Sequence, residues 1–179
     1  MKPVRTRDGR ELSLQKLQLS DHHLLSDYLN GLSADTRKRF GPHPFDPDSI
    51  RGFYDTPKNI GFIAVEPSAG KIVAYSVVKI GFLWHDQPRL ESYGLTLDHY
   101  SDACFAPSVS DQWQSMGIGD LMLTYILDEL RAMNIHRLIL WGGVQMDNER
   151  AVNYYRKNGF VKLGQFEYNG WNLDMMREL

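Results

Sequence analysis

The sequence has few of the residues that cross-link a small fold or hold a metal ion. It contains one cysteine, Cys104, so no internal disulfide can form. Its six histidines show no HxxxH spacing, and there is no Cys-Cys pair of the kind that structural zinc sites use. We therefore predict that the protein has no metal site.

Long apolar runs and a strong charge bias are also missing. No run approaches the ~20 residues that a helix needs to span a bilayer, and the residues after Met1 lack the apolar segment of a secretory signal. The formal net charge of -2 gives no electrostatic reason to expect nucleic acid as a partner. We therefore expect a cytoplasmic protein with neither nucleic-acid nor membrane partners.

The order of periodic segments predicts one domain, residues 1–179, of mixed α/β (α+β) class. A helix capped by Ser20 or Asp21 should bury Leu24, Leu25, Tyr28 and Leu29. Other helices are predicted over residues 33–40, 46–54, 117–133 and 149–158. Strands are predicted over residues 12–17, 60–65, 71–80, 103–109, 137–141, 160–168 and 171–177, with turn signals at Asp8-Gly9 and Asn169-Gly170.

A glycine-containing loop lies between a predicted strand and the long helix that follows it. It consists of Gln114, Ser115, Met116, Gly117, Ile118 and Gly119. Glycines let the backbone approach a ligand, and the start of a helix adds partial positive charge. The loop therefore suits a pyrophosphate, although a tight turn that only opens a helix is an equally good interpretation of this fragment.

Two other phosphate loops can be set aside from the residues that follow. A P-loop needs Lys and then Ser or Thr after its last glycine, whereas Asp120 and Leu121 stand here. A dinucleotide-binding fingerprint needs Gly or Ala where this chain has Met122. The spacing Gln-x-x-Gly-x-Gly remains.

A second motif lies downstream, in residues 148–160, with the sequence NERAVNYYRKNGF. Together with residues 109–119, VSDQWQSMGIG, it resembles the paired motifs of the GNAT superfamily of N-acetyltransferases, in the same order and separated by a helix and a strand. The resemblance covers roughly residues 103–160. It implies a mostly antiparallel central sheet of about six to seven strands, flanked by helices, in which a splayed strand pair holds acetyl-coenzyme A.

The resemblance also implies a role for each matching residue. Residues 114–119 would hold the pyrophosphate, the backbone of Val109 would bond the pantetheine arm, and Asn148 would offer that arm an amide. Ala151 is small enough for a ligand to approach its helix, and Tyr155 would be the general acid. Asn148, Ala151 and Tyr155 are spaced i, i+3, i+7, so they share one helix face.

Some positions depart from the family pattern. Asp120 places a carboxylate beside the phosphates, where the family often has a small or basic residue. Ala103 stands where some members carry a glutamate base, so the base is unassigned, with Asp102, Glu91 and His85 as nominees. Pro107 falls inside a strand, which is tolerable near the splayed pair.

The acceptor is the least defined part of the prediction. Residues 33–45, 81–100 and 168–171 should build its site, and the aromatic residues of the second segment either line a pocket or pack locally. We expect acetyl transfer to the primary amine of a small molecule. A protein or peptide N-terminus and a non-catalytic acyl-CoA sensor are the alternatives, and a homodimer is possible.

Overall fold

Nine strands and six helices follow one another along the chain in the computed structural model, which describes all residues from Met1 to Leu179. The strands are β1 Lys2–Arg5, β2 Glu11–Lys16, β3 Asn59–Glu66, β4 Lys71–Ile80, β5 Asp102–Val109, β6 Arg137–Leu140, β7 Val144–Gln145, β8 Val161–Glu167 and β9 Trp171–Glu178. The helices are α1 His22–Asn30, α2 Ala34–Arg39, α3 Pro47–Phe53, α4 Gln87–Ser92, α5 Ile118–Ala132 and α6 Glu149–Lys157.

The strands form a mixed sheet in the order β1-β2-β3-β4-β5-β6-β9-β7, with β8 paired to β9. The β5–β6 pair is parallel, whereas β1–β2, β2–β3, β6–β9, β7–β9 and β8–β9 are antiparallel. This confirms the predicted class, but the count of six to seven strands was too low. The two-residue strand β7 is too short to show a period of two, and β1 is only four residues long.

The chain divides into two compact units, and β4 and β5 each contribute residues to both. Unit 1 comprises Met1–Val78 and Ala106–Asp128. Its core is built from Leu12 and Leu14 of β2, from the consecutive residues 61–64 of β3 and from one face of α1 and α5. The alternation in β2 and the stripes of the helices follow from the periods of a strand and of a helix, whereas β3 is buried on both faces. Phe62 of β3 packs edge-on against Tyr125 of α5, with ring centroids 5.8 Å apart.

Unit 2 comprises Lys79–Phe105 and Glu129–Leu179. The segment 81–100, which showed no clear period, contains α4 and docks locally through Arg89, whose Nε lies 2.7 Å from the buried Asp174 of β9. Tyr93 packs on the backbone of Gly164 and donates its hydroxyl to Asp174 at 3.0 Å. Local packing therefore accounts for much of this segment, while Trp84 and Tyr100 are exposed. The interpretation of residues 1–179 as one domain stays a prediction.

The long helix and the first helix test the sequence patterns residue by residue. The predicted buried stripe of α5 is confirmed, since Leu123, Ile126, Leu127 and Leu130 are all buried. In α1, Leu25, Tyr28 and Leu29 are buried as expected, but the prediction for Leu24 was wrong because this side chain is 43% exposed. None of the six helices combines the length and apolarity that crossing a membrane requires.

Candidate active site

The loop between β5 and α5 has the backbone shape that an anion site needs. A short 3-10 turn, Asp111–Trp113, follows β5, and two residues of the loop are left-handed, Ser115 with φ 65° and Gly117 with φ 83°. The first hydrogen bond of α5 runs from the Leu121 N–H to the Gly117 carbonyl at 3.1 Å. The amides that precede this bond lie at the positive end of the helix dipole.

The six loop residues differ in what they present. Ile118 buries its side chain in the core, with 1% exposed, so only its backbone can contact a ligand. Gln114 folds its side chain back and donates from Nε2 to the Val109 carbonyl at 3.0 Å. The Met116 carbonyl accepts a hydrogen bond from the Arg7 N–H at 3.1 Å. The loop is thus fixed from both ends before any ligand arrives.

Two arginines of the β1–β2 turn lie against this loop. The side chain of Arg7 crosses Gly117, where an added Cβ would lie 3.1 Å from Arg7 Nε. The guanidinium of Arg10 stacks 3.8 Å above the Trp113 ring and also contacts the Met116 sulfur. Neither arginine was among the predicted site residues. Nothing in the local sequence of the turn signals a partner more than a hundred residues away.

The position of Arg7 changes the interpretation of Asp120 as a carboxylate that stands alone beside the phosphates. Its Nη2 lies 3.3 Å from Asp120 Oδ2, so a cation stands beside the carboxylate that appeared unfavourable for anion binding. The arrangement places one positive and one negative side chain next to the first turn of α5. The net charge that a phosphate would meet there is set by the pair and not by Asp120 alone.

The end of β5 explains the proline in this strand. The Ser110 N–H bonds the Val73 carbonyl of β4 at 3.0 Å, and alternate residues of a strand direct their backbone groups to opposite sides. Pro107 and Val109 therefore face away from β4, so the missing N–H of Pro107 costs that pair no hydrogen bond. Pairing of β5 with β6 ends at Phe105.

In unit 2, helix α6 begins at Asn148 as its N-cap. The Asn148 Oδ1 accepts a hydrogen bond from the Ala151 N–H at 3.3 Å, which satisfies one of the amides at the helix start. Asn148 therefore has a structural task in addition to its predicted contact with the cofactor arm. The helix ends at Gly159, whose φ of 79° is the left-handed conformation that suits glycine there.

Tyr155 lies in the last turns of α6 and is buried, with 7% exposed. Its ring packs against those of Tyr154 and Phe160, each with a centroid distance of 5.3 Å. Burial alone raises the pKa of Tyr155 above its ordinary value, since no charge or hydrogen bond contributes. The hydroxyl is thus held in its protonated form, as a proton donor must be.

The sequence matches the model of the acetyltransferase (GNAT) family over residues 25–160, which is more than half of the chain. The chain belongs to the GNAT acetyltransferase family. By that membership it is an N-acetyltransferase. The resemblance drawn from residues 109–119 and 148–160 is confirmed at the level of the family.

Solved structures share this GNAT fold at low sequence identity. The GNAT domain of S. lividans PAT has a TM-score of 0.76 and 17% identity, covering 99% of this chain and 96% of its own. A ribosomal-protein-alanine acetyltransferase from Vibrio fischeri has 0.72 and 14%, covering 98% and 97%. A spermidine N-acetyltransferase chimera from Vibrio cholerae and hSSAT has 0.68 and 17%, covering 93% and 95%. No curated protein sequence gives a significant match.

The three nominees for the general base of this GNAT enzyme do not contact one another. Asp102 is 1% exposed and forms two hydrogen bonds of 2.8 Å with Arg137, so it is part of a buried ion pair. Glu91 is exposed on α4 and accepts a hydrogen bond from Gln87 at 2.8 Å. His85 is largely exposed, 3.6 Å from Asp86. The geometry gives none of them the role of base.

The surface of the GNAT chain beside α6 carries an open depression, and its acidic, histidine and cysteine side chains form no metal-binding cluster. An open depression of about 300 Å³ beside α6 contains none of the predicted site residues; it is lined by Met146, Glu149, Val152, Asn153, Arg156 and Leu173. No group of three or more His, Cys, Asp or Glu side chains is arranged to hold a metal ion.

Proposed function

We propose that this enzyme transfers an acetyl group from acetyl-CoA to the primary amine of a small molecule. The observation that carries the proposal is the loop before α5, in which Ser115 and Gly117 are both left-handed at the start of a long helix. This shape can direct successive N–H groups towards one anion. It lies inside the segment that matches the family, so a coenzyme A pyrophosphate is the ligand we assign to it.

The residues that would hold the cosubstrate follow from this assignment. The backbone of residues 114–119 would bind the phosphates, and the Val109 N–H, which faces away from β4, would bond the pantetheine arm or the thioester carbonyl. Asn148 and Ala151 would lie along the arm. Acetyl-CoA supplies an acyl group activated as a thioester, and developing negative charge on its carbonyl oxygen is best stabilised by a fixed N–H.

Deprotonation of the acceptor is the first energetic problem. An alkylamine with a pKa near ~10.4 is mostly protonated at neutral pH, and removing the proton costs about 4–5 kcal/mol. A general base or a proton relay must supply part of this. Among the nominees from the sequence, Asp102 is already paired with Arg137. Attack on the thioester releases a second proton from the nitrogen, and the group that takes it is considered below.

Protonation of the leaving thiolate is the task that we assign to Tyr155. A thiol has a pKa of about 8.5 and a phenol of about 10, so the two are not far apart in water. Burial raises the pKa of Tyr155 and therefore weakens it as an acid. A thiolate that forms in water-poor surroundings is destabilised by the same desolvation, which restores the driving force for transfer.

The acceptor is assigned to the small-molecule class because residues 140–145, LWGGVQ, are similar to GNAT members that act on small amines. The named structural neighbours include both a spermidine acetyltransferase and a ribosomal-protein-alanine acetyltransferase. A peptide N-terminus is thus the specific rival.

Turnover on a panel of acceptors tests the proposal. Acetyl-CoA consumption would be followed with polyamines, amino sugars, amino acids and peptides with free N-termini. We expect turnover with at least one small amine and little with peptides. Preference for the peptides would replace the small-molecule assignment, and binding without any turnover would favour a non-catalytic acyl-CoA sensor.

A further inference from the structure

Unit 1 contains a buried chain of three hydrogen-bonding side chains that the proposed mechanism has not used. His43 Nε2 lies 2.7 Å from the Tyr75 hydroxyl, and the Tyr75 hydroxyl lies 2.5 Å from that of Tyr54. His43 Nδ1 lies 2.7 Å from the Pro44 carbonyl oxygen. Tyr75 comes from the centre of β4, Tyr54 follows α3, and His43 belongs to the 33–45 segment that the sequence assigned to the acceptor site.

The chemistry of each atom fixes the direction of the chain. A carbonyl oxygen only accepts, so His43 Nδ1 carries the proton in its bond to Pro44. In the neutral ring Nε2 is then the acceptor, and the Tyr75 hydroxyl must donate to it. Because the only hydroxyl proton of Tyr75 is used in its hydrogen bond to His43, Tyr75 must accept the hydrogen bond from Tyr54. Both hydrogen bonds are thus donated in the same direction, from Tyr54 through Tyr75 to His43.

The surroundings keep the histidine neutral. Phe53 packs on the His43 ring at 4.6 Å and Phe40 meets the Tyr75 ring edge-on at 5.8 Å. Burial lowers the pKa of His43, and the hydrogen bond to the Pro44 carbonyl opposes this only in part. Burial raises the pKa of both Tyr54 and Tyr75, so neither phenol can store the negative charge of a tyrosinate at low cost. A proton that enters the chain must therefore end on His43.

His43 and Tyr75 are buried, and Tyr54 is the one residue of the three with exposed surface. We therefore take Tyr54 as the outer end of the hydrogen-bonded chain. The backbone of Gly61 makes room for the Tyr54 hydroxyl, because a Cβ at that position would lie 2.7 Å from its oxygen. Tyr54 donates its proton inward, which leaves a lone pair on its oxygen as the accepting group at the outer end.

We propose that Tyr54, Tyr75 and His43 form the proton relay that deprotonates the acceptor amine, an inference that rests on the proposed acetyl transfer. An alkylammonium loses two protons on its way to the amide. The first passes to solvent before attack, and the second passes to the Tyr54 oxygen as the neutral amine nitrogen bonds the thioester carbon. Tyr54 passes its own proton to Tyr75, and Tyr75 passes its proton to His43 Nε2, which becomes an imidazolium. The carbonyl electron pair returns as the carbon–sulfur bond breaks, and the departing thiolate takes the proton of Tyr155. Solvent then returns a proton to Tyr155, and the imidazolium releases its proton to solvent by the reverse path.

Tyr54→Phe is the sharpest test, because it keeps the ring and the His43–Tyr75 hydrogen bond. If the three side chains had only a structural role, kcat would change little. If they form the relay, loss of the Tyr54 hydroxyl should lower kcat by about 10²-fold, as general base catalysis typically contributes. Tyr28→Phe is the matched control: it removes another buried hydroxyl of unit 1, bonded to Ser108 at 3.0 Å, and should leave kcat within about twofold. A Tyr54→Phe enzyme with normal kcat would overturn the relay.

Two further measurements separate the relay from a packing effect. In mixtures of H₂O and D₂O, the plot of wild-type kcat against deuterium content should bow below the straight line that joins the two pure solvents, as for several protons in flight. Tyr54→Phe should give a straight line. Tyr75→Phe and His43→Asn should each lower kcat, and combining either with Tyr54→Phe should lower it little further. Additive losses, or curvature retained in Tyr54→Phe, would contradict the relay.

The result can be told apart from failure of acetyl transfer itself. If the wild-type protein acetylates no amine, the proposed function fails first. If instead the wild-type protein acetylates amines while all three relay variants bind acetyl-CoA normally with unchanged kcat, that result would support the proposed acetyl transfer and would reject the relay.

Discussion

Arg7 Nη2 lies 3.3 Å from Asp120 Oδ2, across 113 positions of the sequence, and the Arg7 backbone bonds Met116 of the same loop. The β1–β2 turn therefore supplies a cation to a helix start whose own side chain is an anion. In many proteins such a cation would be encoded next to the glycines. Here it comes from the first hairpin of the chain.

Arg7→Ala should weaken acetyl-CoA binding, because it removes this cation and leaves Asp120 facing the phosphates. The Arg7 side chain is 64% exposed and that of Asp120 is 32% exposed, so solvent screens the pair. We expect a loss of about two- to fivefold in affinity, measured by calorimetry at low salt. Arg5→Ala is the control, since it breaks a similar exposed pair with Glu11 on the same hairpin. An equal loss in both variants would remove the specific role of Arg7.

Gly117→Ala should reduce both stability and acetyl-CoA affinity. A side chain at φ 83° is strained by about 1 kcal/mol, and the new Cβ would press on Arg7 at 3.1 Å. Gly70→Ala shares the positive φ, but nothing lies within 4 Å of its Cβ. It should lose similar stability in urea and keep full affinity; if it also loses affinity, strain alone explains the result.

Tyr155→Phe should lower kcat by about 10²-fold with little change in acetyl-CoA affinity, since only a proton donor is removed. Because burial raises the pKa of Tyr155, its protonation should impose no alkaline limit on kcat below its ordinary pKa of 10.0. Tyr154→Phe, the neighbouring ring, provides the comparison. Steady-state kinetics with unchanged kcat in Tyr155→Phe would exclude it as the general acid.

Stability should fall as the solution becomes acidic, in part through His22. Burial lowers the pKa of His22 below its ordinary 6.5, an effect to which Arg51 adds and which Asp21 opposes, and its Nε2 has no hydrogen-bond partner. The unfolded chain therefore binds this proton more readily, so the contribution is complete above about pH 6.5 and is lost below it. Urea unfolding across this range should be less pH-dependent in His22→Leu. The exposed His136→Gln variant should retain the wild-type dependence, since His136 is not among the groups that shift the pKa of His22. Identical slopes in all three proteins would contradict the assignment.

Asp102→Asn should destabilise the fold without removing a catalytic base. The change leaves Arg137 without the charge that it faces at 2.8 Å, and breaking a buried pair typically costs roughly 3–5 kcal/mol. We expect a lower unfolding midpoint and near-normal kcat at temperatures where the variant is folded. A large loss of kcat in a fully folded variant would return Asp102 to the list of bases.

Much of the fold and part of the site were predictable from local sequence. Helix α5 could be predicted from its apolar stripe, and helix α6 from the N-cap Asn148 and the C-terminal Gly159. These signals are local, because each lies within one turn of the residues whose structure it determines. The turn at Asn169 and Gly170 is equally local, and both residues have positive φ. The loop before α5 was found for the same reason.

The remainder depends on contacts between distant segments. The Arg7–Asp120 and Asp102–Arg137 pairs join residues that no local pattern relates. The order of Tyr54, Tyr75 and His43 becomes visible only when β4, the end of α3 and the 33–45 segment meet. Leu24 fits the period of α1, but periodicity gives the direction of a face and not how far its packing extends.

The most direct test of the account is the formation of an N-acetylated product from acetyl-CoA and a small amine, compared between the wild-type protein and Gly117→Glu. The variant places bulk and a negative charge in the loop assigned to the pyrophosphate, and a folded variant can be verified by its unfolding transition. We predict that mass spectrometry detects the acetylated amine with the wild type and almost none with the variant. Equal product from both proteins would contradict the assigned loop, and no product from the wild type with any amine would contradict the proposed reaction.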